Sequence, residues 1–533
     1  MVMGYMGRLL TLTMALALAS CTSKKREVKM VAGLKYEETL IYNLTTEPPT
    51  LDWNKATDVA SAIVIFNVME PLLGFDLSEN DLPLEPRLAV DWHAEKQGHQ
   101  WVFELREGVK WSDGKEFEAQ QVVDSLERLL QPETAASGAS WFFEVVGAKD
   151  FNKGILKDFS QVGVKAEGKY QIRFTLNKPL AYFPKLLAIQ NAIPIRKDLI
   201  AKYGDKWTEA ENLATLGSYH LKEWKHDNYL VLEKNIGYFL TPPPIQNVLL
   251  RIINDESTGV NLFETGQIDI QPTIPAGELD RLKGKAEFKT SSEYSINFLG
   301  FNTKKEPFNN PDVRRAISMA IDRREIVQVL GGHVMGNRAW LPPDMLGYSD
   351  TFGMTFDPDK ARILLGKTGY GRSKQFPKAV ISYNTNSNHK LVIENIQAQL
   401  KKNLGIELEI QNQEWKSYLA QINSDAPHLF RMGWIALFPD PAPMFEVFRS
   451  DSEFNRFGWG GQEFNQLLDS AAAELKPEKR FEYYKRIQEI LSVEEVPAFA
   501  VYSSSNKYLV SERTQGFPIN PLDRVEFRRV KLK

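Results

Sequence analysis

The chain contains one cysteine, Cys21, so no disulfide can form between any two parts of its 533 residues. Stability must then come from buried apolar surface, and a chain this long exceeds what one core can serve; its size points to roughly three domains. Hydrophobic residues make up 43% and charged residues 25%, the balance of a soluble globular protein. A net charge of -3 lacks the basic surplus that phosphate neutralisation needs, which argues against a nucleic-acid partner. Beyond the N-terminus no stretch approaches ~20 uninterrupted apolar residues, so no transmembrane helix is expected there.

The cysteine sits at an informative place. Arg8 is followed by "LLTLTMALALA", an apolar run of signal-peptide length that is too short to span a bilayer. It ends in "LASC", Leu18 to Cys21, which resembles the lipobox of bacterial lipoproteins, in which the cysteine is acylated and becomes the first mature residue. The plainer alternative is a secretory signal with a chance cysteine. At about 0.8 kcal/mol per buried methylene, several acyl chains would hold the protein at a membrane surface. The polar, charged "TSKKREVKMVAGLKYEE" that follows reads as a flexible tether, with folded structure starting near Thr39.

Strands and helices alternate along the rest of the chain, which predicts a mixed α/β (α+β) architecture. Leu40, Tyr42 and Leu44 alternate as in a strand that Pro48-Pro49 ends, as do Ile172, Phe174 and Leu176, and Ile406, Leu408 and Ile410. "HQWVFELREGVKWSDG" predicts a hairpin: Trp101, Phe103 and Leu105, a turn at Glu107-Gly108, then Val109 and Trp111. "NPDVRRAISMAIDRREIVQVLGG" predicts one helix capped by Asn310, opened by Pro311 and stopped at Gly331-Gly332. Phe464, Leu467, Leu468, Ala471 and Leu475 form one C-terminal apolar stripe; Phe481, Tyr484, Ile487 and Leu491 form a second. Core packing accounts for all of these stripes.

Motifs for chemistry are missing. There is no G-x-S-x-G, H-E-x-x-H or P-loop, and "FGWGGQEF" lacks the third glycine of a dinucleotide fingerprint. One cysteine rules out two-cysteine zinc motifs, and the seven histidines lack metal-ligand spacing. No metal, cofactor or enzymatic activity is expected. One stretch stands apart: "FRMGWIALFPDPAPMF", Phe430 to Phe445, is an apolar run that stops at alternating prolines. Read by itself it is either a buried strand with a stiff turn or one wall of a binding site.

Several phrases favour the second reading. "TTEPPTLDWNKATD" (Thr45 to Asp58), "VMEPLLGFD", "LEPRLAVDW", "WVFELREGVKWSDGKEFEAQQVVDSLERLL", "LGSYHLKEWKHDNYLVLEKN", "LGFNTKKEPFNNPDVRRAISMAIDRREIV", "NQEWKSYL" and "PLDRVEFRRVKL" are similar, in order, to blocks of the family-five bacterial solute-binding proteins. These are receptors for oligopeptides and dipeptides that feed importers of the ATP-binding cassette class. The resemblance covers about Thr39 to Lys533 and is nearer to the oligopeptide-binding members than to the nickel-binding ones. It implies a periplasmic-binding-protein-like fold, two lobes hinged about a cleft with an additional inserted domain. The implied division is a signal peptide at 1–20, the lipidated cysteine and tether at 21–37, and lobe I at 38–70, 190–288 and 505–533. The inserted domain of lobe I would be 71–189, and lobe II 289–504.

The same resemblance implies a site. The segment matching Gly433, Trp434 and Ile435 would run along the cleft and pair through its main chain with an extended peptide, which gives affinity without dictating side chains. Trp434 and Trp415 match aromatic positions that line side-chain pockets. Arg431 matches an arginine that helps hold a peptide carboxylate, a task suited to a guanidinium fork. The pattern breaks at Leu437, where peptide receptors of this family usually carry an aspartate that pairs with the ligand's ammonium. Asp440 or Glu47 could supply the charge instead, although the plainer role of Asp440 is turn-making with Pro441. The expected partners are a peptide or peptide-like solute, the permease subunits of the importer and, through Cys21, a bacterial membrane. The protein itself is expected to be a monomer facing the periplasm or the cell exterior. The alternatives are a receptor for a non-peptide solute on the same fold, or an envelope hydrolase or chaperone using the same cleft.

Overall fold

The computed structural model describes residues 29–533 apart from Asn80, Ser137, His333, Arg372 and Leu475; Cys21 and the apolar run before it lie outside the described residues, as does the last member of the first C-terminal stripe. Three sheets of four or more strands organise the chain.

The first has seven strands in the order Tyr219–Lys225, Tyr229–Lys234, Asn247–Arg251, Thr39–Asn43, Ile270–Gln271, Ser505–Val510 and Phe288–Ser292. Thr39–Asn43 runs parallel to both of its neighbours, and all five of its residues are buried. That is the usual fate of parallel strands, which are covered on both faces. The second has six strands, in the order Met335–Gly336, Ala498–Ser503, Ser295–Phe301, Leu429–Ile435, Ala379–Asn384 and Leu408–Gln413. The third, a four-stranded antiparallel sheet of Ala89–Glu95, Gln100–Leu105, Gln171–Thr175 and Val164–Ala166, is built from a stretch that interrupts the strands of the first.

The chain passes between the two large sheets twice. It leaves the seven-stranded sheet at Ser292 and enters the six-stranded one at Ser295, then returns between Ser503 and Ser505. The passages lie side by side, because Ser292 pairs with Ser505 on one side and Asn297 with Tyr502 on the other. The passages themselves consist of Glu293 and Tyr294 in the first and Ser504 in the second.

Two local expectations are corrected. Gln100–Leu105 does not fold back on Val109 and Trp111; its partners are Ala89–Glu95 and Gln171–Thr175. After the turn at Gly108 (φ +72°) the chain makes only a small loop, with a lone bridge between Lys110 and Glu116 around Gly114 (φ +87°). The predicted single helix from Pro311 is two helices, Pro311–Met319 and Arg323–Val329. Asn310 does cap the first, accepting from Asp312 N at 2.8 Å. The break occurs because Asp322 caps a new start, and the long helix Ser387–Leu404 offers side chains to the opened backbone. Gln399 bonds both the N–H and the C=O of Asp322, and Asn403 bonds the Ala320 carbonyl. Amide side chains thereby satisfy the groups that a helix interruption would orphan.

A buried ionic cluster ties the C-terminal segment to the residues around the inserted stretch. Arg87 reaches Glu70 at 3.2 Å, Glu85 at 2.7 Å and Glu526 at 2.8 Å, while Tyr238 donates to Glu70 at 2.5 Å. Burial pushes the Glu526 carboxyl up, but the guanidiniums of Arg87, Arg528 and Arg524 outweigh it and hold the group down to about 2. Removing one partner from such a cluster leaves uncompensated buried charge. Arg87→Met should therefore lower unfolding free energy by about 3–5 kcal/mol in urea titrations.

Candidate functional site

Strand Leu429–Ile435 pairs antiparallel with Ser295–Phe301 along its whole length, from Ser295↔Ile435 to Phe301↔Leu429. Beyond the strand end, Ala436 N–H donates to the Tyr294 carbonyl at 2.8 Å and carries the pairing one residue farther. On its other edge the strand meets Ala379–Asn384 only at Leu429 and Phe430. Main-chain groups of a strand point alternately to its two edges. The even-numbered residues up to Ala436 face Ser295–Phe301, so those of Arg431, Gly433 and Ile435 face the other edge. The Arg431 carbonyl is taken there by the Tyr418 hydroxyl at 2.5 Å. Gly433 and Ile435 meet no strand on that edge among the described residues.

Burial alternates in the same register. Met432, Trp434, Ala436, Phe438 and Asp440 are buried, whereas Arg431, Gly433, Ile435, Leu437 and Pro439 are half-buried. This period of two places Arg431, Gly433, Ile435 and Leu437 on one face. Trp434 is on the other. It is 9% exposed, its indole N–H donates to the Pro443 carbonyl at 2.8 Å, and its ring meets Phe454 edge-on at 5.1 Å. Trp434 thus supports the strand from behind. Trp415, the first residue of helix Trp415–Ser424, is half-buried one turn before Tyr418, with ring centroids 6.3 Å apart.

Arg431 donates to Asn297 Oδ1 and, at 3.4 Å, to Asn384 Oδ1. A Cβ at Gly433 would stand 3.4 Å from both the Arg431 guanidinium and the Asn297 amide, so the glycine leaves that pair open. His389, at the start of helix Ser387–Leu404, approaches the Asn384 carbonyl at 3.3 Å; burial, with the Arg431 charge beside it, pushes its imidazole well below the usual range and keeps it neutral. Tyr502 also faces Arg431. Asn297, Asn384, His389 and Tyr502 escaped the sequence reading because they come from three strands and a helix. The one local signal was Asn297, a polar residue within the apolar run "SINFLGF".

The two acidic candidates are engaged elsewhere. Asp440 is 7% exposed and makes a fork with Arg480 at 2.7 and 3.0 Å. Glu47 accepts from the Trp224 indole at 3.0 Å, from His226 at 2.9 Å and from the Asp227 N–H at 3.1 Å, which fastens it to the hairpin of the seven-stranded sheet. Leu437 offers only apolar surface, half-buried against the core. Two other carboxylates lie at the passage between the sheets. Glu293 accepts from Ser295 Oγ at 2.7 Å and is pushed up by burial, and Asp523 accepts from the Tyr508 hydroxyl at 2.5 Å. Burial and the Glu293 charge push Asp523 up to about 7.

Further contacts join sequence-distant parts of the chain. Glu256 accepts from Asn386 at 2.8 Å and from Ser387 at 2.7 Å. Phe438 lies 5.3 Å from the Tyr182 ring and 5.8 Å from the Trp141 ring, both belonging to the stretch that carries the four-stranded sheet. Lys149–Asp451 (2.6 Å) and Lys178–Asp469 (3.0 Å) flank that aromatic contact.

Comparison with known proteins places this geometry. The model for bacterial extracellular solute-binding proteins, family 5, matches residues 83–456, and the chain belongs to that family, one of binding proteins. The oligopeptide-binding protein OppA of Bacillus subtilis (strain 168) is 29% identical, over 94% of this chain and 93% of its own. Haemophilus influenzae OppA in complex with the peptide RPPGFSPFR superposes with a TM-score of 0.87 at 25% identity, covering 94% of this chain and 99% of that one. The Escherichia coli murein tripeptide-binding protein MppA gives 0.88 at 28% identity, over 94% and 99% of the two chains. The unliganded open form of MppA gives 0.65 at the same identity, over 94% and 98%. With sequence held constant, the drop reflects how the parts are arranged.

The raised Asp523 gives a pH signature. Between about 4 and 7 the folded protein holds a proton that the unfolded chain has released, so this group lowers stability as pH rises through that window. Asp523→Asn removes the slope. Its gain over the parent, followed by thermal melting, should grow from pH 4 to 7, reach about 1–3 kcal/mol, and stay level above.

Proposed function

We propose that this family-5 protein is the capture component of an importer of the ATP-binding cassette class, taking up peptides or peptide-like solutes in a cleft between two lobes and passing them to the permease unchanged. The observation that carries the reading is the free edge at Gly433 and Ile435, on a half-buried face beside Arg431 and next to both passages between the large sheets. An extended peptide completes such an edge as one more strand, through main-chain bonds that tolerate varied side chains. The peptide-binding names of its relatives agree with this.

In this reading lobe I comprises 38–70, 190–288 and 505–533 with the inserted domain at 71–189, and lobe II comprises 289–504. The hinge is the pair of passages at Glu293–Tyr294 and Ser504, short enough that a few backbone torsions open the cleft. The higher similarity to ligand-bound OppA than to open MppA supports a closed arrangement here. Contacts of Glu256 with Asn386 and Ser387, and of Phe438 with Trp141 and Tyr182, then hold the clamp shut. Arg431, with Asn297, Asn384 and His389 around it, receives the carboxylate end of the solute, and Trp415 lies beside the same strand. Acylation of Cys21 would tether the mature protein to a bacterial membrane, with the folded part on the outer side. Capture requires no bond-breaking residue, and the solute needs only a higher affinity for the closed form than for the open one.

Incubation with a defined library of tri- to pentapeptides should yield retained, uncleaved peptide in native mass spectrometry. A bound peptide at about 100 times its dissociation constant should add roughly 2.7 kcal/mol of stability; cleaved products, or no retained peptide, would reject the proposal. Phe438→Ala removes two aromatic contacts of about 0.5–1.5 kcal/mol each from the closed form. It should weaken peptide binding about tenfold and enlarge the radius of gyration of the unliganded protein in small-angle scattering.

A further inference from the structure

Leu437 leaves the proposed cleft without an acidic group at the end of the strand, and the strand register shows where one returns. Ser295 pairs with Ile435, and the bond from Ala436 N–H to the Tyr294 carbonyl continues the pairing, so the next cross-strand position opposite Leu437 is Glu293. Residues opposite one another in an antiparallel pair share a face. Glu293 therefore stands on the face of Ser295, Asn297, Arg431, Gly433 and Ile435; Ser295 and Asn297 are buried there, and the other three, like Glu293 itself, are half-buried.

Glu293 has no cation within ion-pair distance among the described residues. Lys507, whose charge also acts on it, donates instead to the Ser505 carbonyl at 3.1 Å. Behind Glu293 the turn at 520–523 docks on the same passage: Tyr294 N–H donates to the Pro521 carbonyl at 2.7 Å, and the turn presents Asp523, likewise without an ion-pair partner among the described residues. At the other end of the face Arg431 is bonded by neutral amides and has no carboxylate at ion-pair distance among the described residues. The Arg431 charge also acts on Glu293, yet neither group has an opposite charge at ion-pair distance among the described residues; a cation and an anion so placed on one face, with an unpaired strand edge between them, complement an extended zwitterion.

We propose that Glu293, backed by Asp523, is the specificity-determining acceptor for the ammonium of the solute, acting across the strand pair from Leu437. This deepens the receptor reading and rests on it. It fixes the ligand's direction, with the ammonium at the passage between the lobes and the carboxylate towards Arg431.

The test is calorimetric titration of tri- and tetraalanine and their N-acetylated forms into the parent protein, Glu293→Gln, Leu437→Asp and the double variant. The parent should bind the free amines at least ~100-fold more tightly than the acetylated forms, the effect of losing one partner of a desolvated pair. Glu293→Gln should bring the two forms within a few-fold of each other, with a melting temperature no lower than the parent's. Adding Leu437→Asp to that variant should restore the preference, which a merely structural role of Glu293 would not predict. A preference that survives Glu293→Gln, or equal binding of free and acetylated peptides by the parent, overturns the assignment and leaves the receptor reading standing. No binding of any of the four peptides overturns the assignment, and the receptor reading falls with it only if the peptide library also leaves no retained peptide.

Discussion

The antiparallel pairing of Ser295–Phe301 with Leu429–Ile435 is the contact on which the rest of the structure turns. It fixes which face of the second strand looks outward, it lies next to the passage from the seven-stranded sheet, and among the described residues no strand pairs with the other edge of Gly433 and Ile435. A one-residue slip would exchange the two faces, bringing Trp434 and Met432 outward and burying Arg431 and Leu437. The indole bond of Trp434 to Pro443 and its contact with Phe454 hold the register against such a slip.

Charge is distributed with the same economy of position. Two buried ionic groups that join parts of the fold are paired with opposite charges, Arg87 with Glu70, Glu85 and Glu526, and Asp440 with Arg480. At the face beside the open edge the pattern differs: Arg431 meets amides, and Glu293 meets a hydroxyl. Paired charges are inert towards a solute because their desolvation is already compensated. Unpaired ones at a partly wet surface bind a counter-ion with more of the Coulomb attraction intact.

Much of the architecture was legible because strand and helix periodicities are written in neighbouring residues. The runs through Leu40–Tyr42, Ile172–Phe174 and Leu408–Ile410 each became a strand, and Asn310 caps its helix as expected. The readings failed where a distant element decided the outcome. Gln100–Leu105 found partners on either side rather than the residues following its turn. The helix after Asn310 broke because Gln399 and Asn403, some eighty residues away, satisfy its interrupted backbone. At the site, the ordered blocks led to Arg431 and Gly433, while the orientation of Trp434 and the engagement of Asp440 and Glu47 became visible only in three dimensions.

By itself, then, the sequence determined the mixed α/β class, the lack of internal disulfides, the absence of catalytic motifs and the stretch that holds the candidate site. These are properties of composition and of spacing within a dozen residues, where hydrophobic period and turn chemistry act. Only the tertiary structure decided which carboxylates lack an ion-pair partner among the described residues and which of them stands on the Arg431 face of Leu429–Ile435. Glu293 and Arg431 are far apart in sequence, and strand register, a property of two chain segments held together by hydrogen bonds, brings them to one face; the bond from Tyr294 N–H to the Pro521 carbonyl then sets the turn carrying Asp523 behind Glu293.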